Sequence, residues 1–349
     1  MTKRFTLQCP MPELDFDVIT LGHGSGGRLT NDLLEAGVFR LFQNKELQQR
    51  HDGATLDIKG RIAFSTDNYV ISPVFFPGSN IGELSVNGTV NDLAMCGARA
   101  RYISLGLILE EGLKMEELWE ILAAIKISAE NTGVSIVTGD TKVVEKGKGD
   151  SIFINTTGIG EVHPRSNINI DRIEPGDAII LSGPMATHGI AIMTMREGLK
   201  FESEIRSDTR PVHLMALKLI ESLGDNIKML RDPTRGGVAT VLNEISRQRK
   251  LGVELDENSF PVNRQVAAAC EVLGLDPLYV ANEGIFIAIV KESVSGQVID
   301  ILKTFKDGKE AVQIGKITRE HAGKVYVNSS IGGKRVAGML AGEQLPRIC

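Results

Sequence analysis

Short apolar runs alternate with longer amphipathic stretches in both halves of this chain, and that alternation confines it to a mixed α+β (α/β) architecture. Residues 61–66 read as a strand closed by Asp67. Ile81, Leu84, Val90, Leu93 and Ala94 recur at roughly helical spacing, so the reading over Ile81 to Met95 is a helix stopped by Gly97. Tyr102 to Leu109 is an apolar strand. Met115 to Thr132 presents Leu118, Leu122 and Ile125 on one face, with Gly133 as its C-terminal stop. Val134 to Thr138 reads as a short strand running into a Gly139-Asp140-Thr141-Lys142 turn, and Ser151 to Ile159 alternates like another strand.

A turn-rich break follows, at His163-Pro164-Arg165-Ser166 and Glu174-Pro175-Gly176-Asp177. Ala178 to Gly183 then opens a second domain with a strand. Arg210 to Leu223, Gly236 to Arg249 and Asn263 to Leu273 read as helices, and Ile285 to Val290 as an apolar strand. The expected organisation is an N-terminal domain over 1–163, a C-terminal α/β domain over 164–336, and a mobile, glycine-containing tail over 337–349.

Composition excludes several classes. The 349 residues carry a formal net charge of −5 and only 5% aromatics, with no basic block, which argues against nucleic acid as a partner. No apolar run reaches the roughly 18 residues of a membrane span, and residues 1–11 lack the apolar segment of a secretory signal. A cytoplasmic protein with reduced thiols is expected. The four cysteines, Cys9, Cys96, Cys270 and Cys349, form no CxxC pair, so a zinc knuckle is not indicated. Cys96 and Cys270 sit in apolar helical context and read as core; Cys9 has no assigned role. Cys349, the last residue, is not placed like a core thiol, and chemistry becomes a candidate role.

Residues 22–28, Gly-His-Gly-Ser-Gly-Gly-Arg, are glycine-dense and precede a helix-like segment from Leu29. Glycines let a backbone approach a ligand, and successive N–H groups cradle anions. The loop lacks the Gly-Lys-Ser/Thr of a Walker motif. His23 reads as structural. Four aspartates, Asp67, Asp92, Asp140 and Asp232, stand at or near element ends; Asp92 alone lies mid-helix among apolar residues, where it needs a partner. Hard oxygen ligands of this kind suit Mg²⁺ beside phosphates. Lys142 is placed to reach phosphate. Glu283, before an apolar strand, is a candidate base.

Taken together, Gly22 to Gly27, Phe64-Ser65-Thr66-Asp67, residues 72–78, residues 88–94, Thr138 to Val144, residues 232–237, Ala281-Asn282-Glu283-Gly284 and the terminal Pro346-Arg347-Ile348-Cys349 closely resemble the HypE family of hydrogenase maturation factors. That family belongs to the superfamily of aminoimidazole ribonucleotide synthetase and selenophosphate synthetase. The resemblance spans nearly the whole chain, and the terminal tetrapeptide is its most specific piece. It implies a two-domain fold whose N-terminal domains pair in a homodimer through a barrel-like sheet interface, with ATP and Mg²⁺ between the domains. The implied reaction is ATP-dependent dehydration of an S-carbamoyl group on Cys349 to an S-cyanide, for the iron of nickel–iron hydrogenase. Implied partners are the carbamoyltransferase HypF and a HypC–HypD complex that accepts the cyanide. The implied site comprises Asp67, Asp92, Asp140 and Asp232 for metal and phosphate, Gly24, Ser25, Gly26, Gly27, Thr141 and Arg235 for ATP, and Lys142 and Glu283 acting on the carbamoyl group. Asn68 and Asn87 depart from the family pattern without touching these positions. Two alternatives stay open: another ATP-using enzyme of the superfamily, such as a selenophosphate synthetase, against which the absence of Cys from the glycine loop counts, and a non-catalytic scaffold whose tail docks a partner.

Overall fold

The computed structural model of the protein describes residues 16–50, 53–199, 204–339 and 347–348. Cys9 and Cys349 lie outside the described residues. The chain divides into two units, one holding the residues up to Leu93 together with Ala100–Glu161, the other Ala94–Arg99 and Val162–Ile348.

In the first unit, a 3₁₀ turn at Leu21–Gly24 leads into α1 (Arg28–Leu33), which continues as a π turn to Phe39, and α2 (Lys45–Gln48) follows. Then come β1 (Ile62–Tyr69), the short β2 (Phe75–Phe76) and β3 (Ser79–Asn80), α3 (Ile81–Met95), β4 (Ala98–Glu110), α4 (Met115–Thr132), β5 (Ser135–Val144) and β6 (Ile152–Val162). The main sheet has the order β1-β6-β4-β5, with β1 antiparallel to β6 and β4 parallel to β5. On β6 the residues Ile152, Ile154, Thr156, Gly158 and Gly160 are buried and their neighbours are not, the period-two burial of a sheet with one covered face. α3 covers that face: a Cβ on Gly158 would press on Thr89 and Leu93. Asn80 starts α3 by accepting the N–H groups of Gly82 and Glu83 on its side-chain oxygen. α4 ends as its sequence predicts, with Gly133 in the left-handed region at φ 73°.

Two expectations are corrected here. Asp67 does not close a strand, because β1 runs on through Tyr69, held by its register with β6 (Asp67 opposite Thr156). Gly139-Asp140-Thr141-Lys142 is not a turn but the middle of β5, paired in parallel with β4 so that Asp140 stands opposite Gly106 and Lys142 opposite Ile108. β5 is an edge strand, where polar residues remain solvated.

The second unit contains β7 (Ala178–Leu181), α5 (Thr187–Arg196), α6 (His213–Leu223), β8 (Ile227–Arg231), α7 (Gly237–Arg249), β9 (Gly252–Asp256), α8 (Arg264–Leu273), β10 (Ile287–Val290), α9 (Ser295–Lys303), β11 (Val312–Thr318), β12 (Val325–Ser329) and β13 (Gly333–Val336). Its sheet has the order β13-β12-β9-β11-β7-β10-β8. β7 is buried on both faces. Ile179 and Leu181 pack with Leu242 and Ile245 of α7, while Ala178 and Ile180 pack with Leu219 of α6 and Val298 of α9. That double burial explains the unbroken apolar run of β7. Ala337, at the start of the stretch expected to be tail, is fully buried and its N–H bonds the carbonyl of Val325. Among the described residues no helix is long and apolar enough to cross a membrane.

Candidate active site

The glycine loop and β5 of the first unit build one candidate region. Gly24 lies against β5 so closely that a Cβ there would stand 2.5 Å from the backbone nitrogen of Val143. Gly26 has φ 79°, a conformation open to glycine at little cost. The loop is tied down locally. Ser25 donates its hydroxyl to the carbonyl of Gly22 at 2.9 Å, and the N–H of Gly26 donates to Thr30 Oγ1 at 3.0 Å. His23 is buried, accepts the Thr20 N–H on Nδ1 and meets Phe16 edge-on, a structural role as expected.

Next to this loop is a cavity of about 180 Å³. Its apolar walls come from Leu34, Val38, Phe39, Leu105, Leu107 and Ile136, and its polar rim from Gly24, Gly26, Thr138, Asp140, Thr141 and Lys142. An apolar slot with a polar, glycine-lined rim suits a ligand with a flat apolar end and a charged end. Lys142 Nζ holds Asp140 Oδ1 at 2.8 Å, both side chains mostly exposed. That hydrogen bond, with help from the Thr141 N–H, keeps the Asp140 carboxyl below the usual carboxylate range.

Asp67 shares the partly buried side of β1 with Ser65, the residue that reaches Asp92 on α3. Ser65, two residues before Asp67 and therefore on the same side of β1, donates its hydroxyl to Asp92 Oδ2 at 2.7 Å. Ser65 thus gives Asp92 a partner of the kind its mid-helix position requires. Asp67 and Asp140, by contrast, lie on the two edge strands of the sheet, with β6 and β4 in between. Among the described residues no three His, Cys, Asp or Glu side chains are grouped to hold a metal. The donor set fits Mg²⁺ in its common mode, held by one or two carboxylates and otherwise by phosphates and water.

The second unit gathers a different set of groups. Asp208 is 2% exposed and its carboxylate accepts the N–H of Glu283 at 3.2 Å and of Gly284 at 3.1 Å. Gly284 is obligatory, because a Cβ there would collide with the carbonyl of Asp208. Asn282 is fully buried. Its Nδ2 donates to the carbonyl of Pro233 at 2.9 Å, which ties the Asp232-Pro233 loop to Glu283, and its Oδ1 accepts the N–H of Ala186 at 2.6 Å. Ala186 has φ 73° and precedes α5, so Asn282 holds a strained residue that sets the start of that helix. Glu283 itself is buried, while Arg235 is exposed on the same loop as Asp232.

α5 carries two residues that sequence reasoning missed. His188, fully buried, places Nε2 2.7 Å from the carbonyl oxygen of Ile348 and Nδ1 2.8 Å from Ser207 Oγ. A carbonyl only accepts, so Nε2 carries the proton, and burial lowers the pKa of this imidazole and favours its neutral form. Nδ1 therefore accepts from Ser207. Arg196 Nη2 donates to the carbonyl of Arg347 at 2.6 Å. Ile348 is 4% exposed, a burial that contributes about 1.5–3 kcal/mol. No sequence pattern marks His188: its partner lies 160 residues away.

Of the other thiols, Cys270 is buried as expected, and burial pushes its pKa up to about 11, which makes it inert. Cys96 is exposed, which overturns its assignment to the core; it sits past the end of α3, where the apolar helical face has ended.

Both halves match models of the AIR synthase related proteins, the N-terminal domain over residues 50–162 and the C-terminal domain over residues 174–328. Carbamoyl dehydratase HypE of Azotobacter vinelandii is 46% identical over 332 residues, covering 95% of this chain and 97% of that protein. A solved structure of hydrogenase maturation protein HypE in complex with ATP superposes with a TM-score of 0.91 at 45% identity, over 94% of this chain and 99% of the other. A chain of the solved HypE–HypF complex gives a TM-score of 0.78 at 40% identity, over 90% and 100% of the two chains. Matched at this identity over 95% of its length, the chain belongs to the HypE family of hydrogenase maturation proteins, within the AIR synthase related proteins.

Proposed function

We propose that the protein is an ATP-dependent carbamoyl dehydratase that carries its own substrate on Cys349 and supplies cyanide for the iron of nickel–iron hydrogenase. The observation that carries this reading is the anchorage of Ile348, the residue bonded to Cys349, on the same helix and loop frame that holds Glu283.

The chemistry follows from a poor leaving group. The oxygen of the thiocarbamate S–C(=O)–NH₂ attacks the γ-phosphorus of ATP, ADP leaves, and the nitrogen loses one proton, giving S–C(OPO₃²⁻)=NH. Loss of the second proton as the C–O bond breaks expels phosphate and leaves S–C≡N. Glu283 is the base for the carbamoyl nitrogen, and Lys142 orients the carbamoyl group and offsets charge on the transferring phosphoryl group. The Gly24–Gly27 loop and Thr141 bind the phosphates beside the apolar cavity, which takes the base of the nucleotide. Arg235 acts from its loop on phosphate, and Asp232 on the same loop would act through Mg²⁺. Asp67 and Asp92 would hold Mg²⁺, with Asp140 as a further phosphate-side carboxylate; when bound, the ion neutralises phosphate charge.

A relative of this chain has been solved in a HypE–HypF complex, which supports HypF as the carbamoyl donor. A HypC–HypD complex is the proposed acceptor. A homodimer is supported by the sheet face turned away from α3, where Ile62, Phe64 and Ile108 are 55%, 66% and 44% exposed. A carrier thiol has to stay reduced, which places the protein in the cytoplasm.

Intact mass of the protein incubated with HypF, carbamoyl phosphate and ATP tests the reading. The expected course is a carbamoyl adduct on Cys349 that then loses the mass of water, with neither species on Cys349→Ala. An adduct on Cys9, Cys96 or Cys270, or one that persists with ATP present, rules it out. A scaffold would support hydrogenase maturation without Cys349.

A further inference from the structure

The carbonyl that His188 holds belongs to the peptide joining Ile348 to Cys349. A hydrogen bond to that oxygen restrains the peptide on the Ile348 side, one residue from the thiol. We infer that His188 is a positioning residue for dehydration, registering the terminal thiol against Glu283 through the last peptide of the tail. The inference rests on the function proposed above.

Three features support it. First, His188 and Glu283 share one frame. α5 is set at its start by Asn282 through the N–H of Ala186, and again by the N–H of Gly189 donating to the carbonyl of Ala281 at 3.0 Å. The loop so bonded is Ala281-Asn282-Glu283-Gly284, whose other side is fixed by Asp208. Second, the imidazole is itself oriented. Ser207 Oγ meets Nδ1 and also accepts the N–H of Thr209 at 3.0 Å, so the ring has one tautomer and one direction in which to donate. Third, the docked state opposes its own permanence. Arg347 adopts φ 52°, a left-handed conformation unfavourable for a side chain, and its carbonyl is held there by Arg196. Among the described residues, the His188 and Arg196 hydrogen bonds and the buried Ile348 side chain anchor this end of the tail, and release relaxes Arg347. A tail that visits a partner's active site and returns needs this balance.

Time-resolved intact mass on the full chain with HypF, carbamoyl phosphate and ATP separates adduct formation from loss of water. His188→Asn removes the donor at the Nε2 position, whereas His188→Gln keeps an N–H near it. In His188→Asn the adduct should accumulate, with dehydration slowed about tenfold or more and carbamoylation unchanged or faster. His188→Gln should recover most of the rate, and Cys349 in His188→Asn should react faster with iodoacetamide. Ile348→Ala, which alters only the tail, should slow dehydration too and serves if His188→Asn does not fold. Equal dehydration rates in the unsubstituted chain and His188→Asn, or in it and Ile348→Ala, overturn the inference, as does equal slowing of both steps. If the unsubstituted chain forms no adduct on Cys349, the proposed function fails and this role with it.

Discussion

Asp208 and Gly284 are in contact at the level of the backbone: the buried carboxylate accepts the Gly284 N–H at 3.1 Å, and no side chain fits where Gly284 faces the Asp208 carbonyl. Its other oxygen accepts the N–H of Glu283. Asp208→Asn keeps the shape but presents an N–H₂ group to one of these donors. Leaving one buried N–H unsatisfied costs about 1–3 kcal/mol, or about 2–12 °C in Tm for a unit of this size. Differential scanning calorimetry should show that fall, and dehydration should slow about tenfold at temperatures where the variant remains folded.

The approach of Gly24 to Val143 makes a second prediction. Gly24→Ala places a methyl group 2.5 Å from the Val143 nitrogen, so the loop has to lift from β5. ATP affinity measured by titration calorimetry should drop about tenfold or more, with little change in circular dichroism. Gly26→Ala meets nothing within 4 Å and incurs only the cost of its φ of 79°, about 1 kcal/mol, so its effect should be smaller. An equal loss in both variants contradicts this assignment.

His213 gives the second unit a pH dependence. Burial, reinforced by the charge of Arg99, lowers its pKa from 6.5 to about 4, and Nδ1 has no hydrogen-bond partner among the described residues. Between those values the unfolded chain binds the proton more readily than the folded one, so stability is full above pH 6.5 and declines as pH falls towards 4. The loss reaches about 3 kcal/mol at most. Urea titrations from pH 7 to pH 4 should show this decline, and His213→Leu should flatten it by that amount. Parallel curves for the two proteins contradict the assignment.

The outward sheet face predicts the assembly state. Phe64 is 66% exposed and stands opposite Ile159 on β6, in a strand whose next outward residue towards the N-terminus, Ile62, is also exposed. Light scattering after size exclusion should give a dimer, and Phe64→Glu should give a monomer by placing a charge in the apolar centre of the contact. A monomeric unsubstituted chain contradicts the proposal.

Apolar residues at helical spacing and a following glycine marked α3 and α4, α4 by one apolar face and α3 although it is buried nearly all round, because these signals depend on neighbours within a few residues. The order of motifs from Gly22 to Cys349 likewise placed the chain in its family before any contact was known. Other features were decided by residues far away in the chain. β5 continues through Gly139 to Lys142 because β4 pairs with it, and nothing local distinguishes that strand from a turn. Asp92 finds a partner because α3 packs against β1 and brings it to Ser65, 27 residues away. His188, Asp208 and Ile348 come together only when α5, the Glu283 loop and the chain terminus pack, and a hydrogen bond spanning 160 residues leaves no periodic trace in sequence. Sequence alone determined which chemistry the chain carries, since reactive groups are named by their residues. Tertiary structure alone decided which of those groups are buried, paired and aimed, since each depends on packing between elements that are distant along the chain.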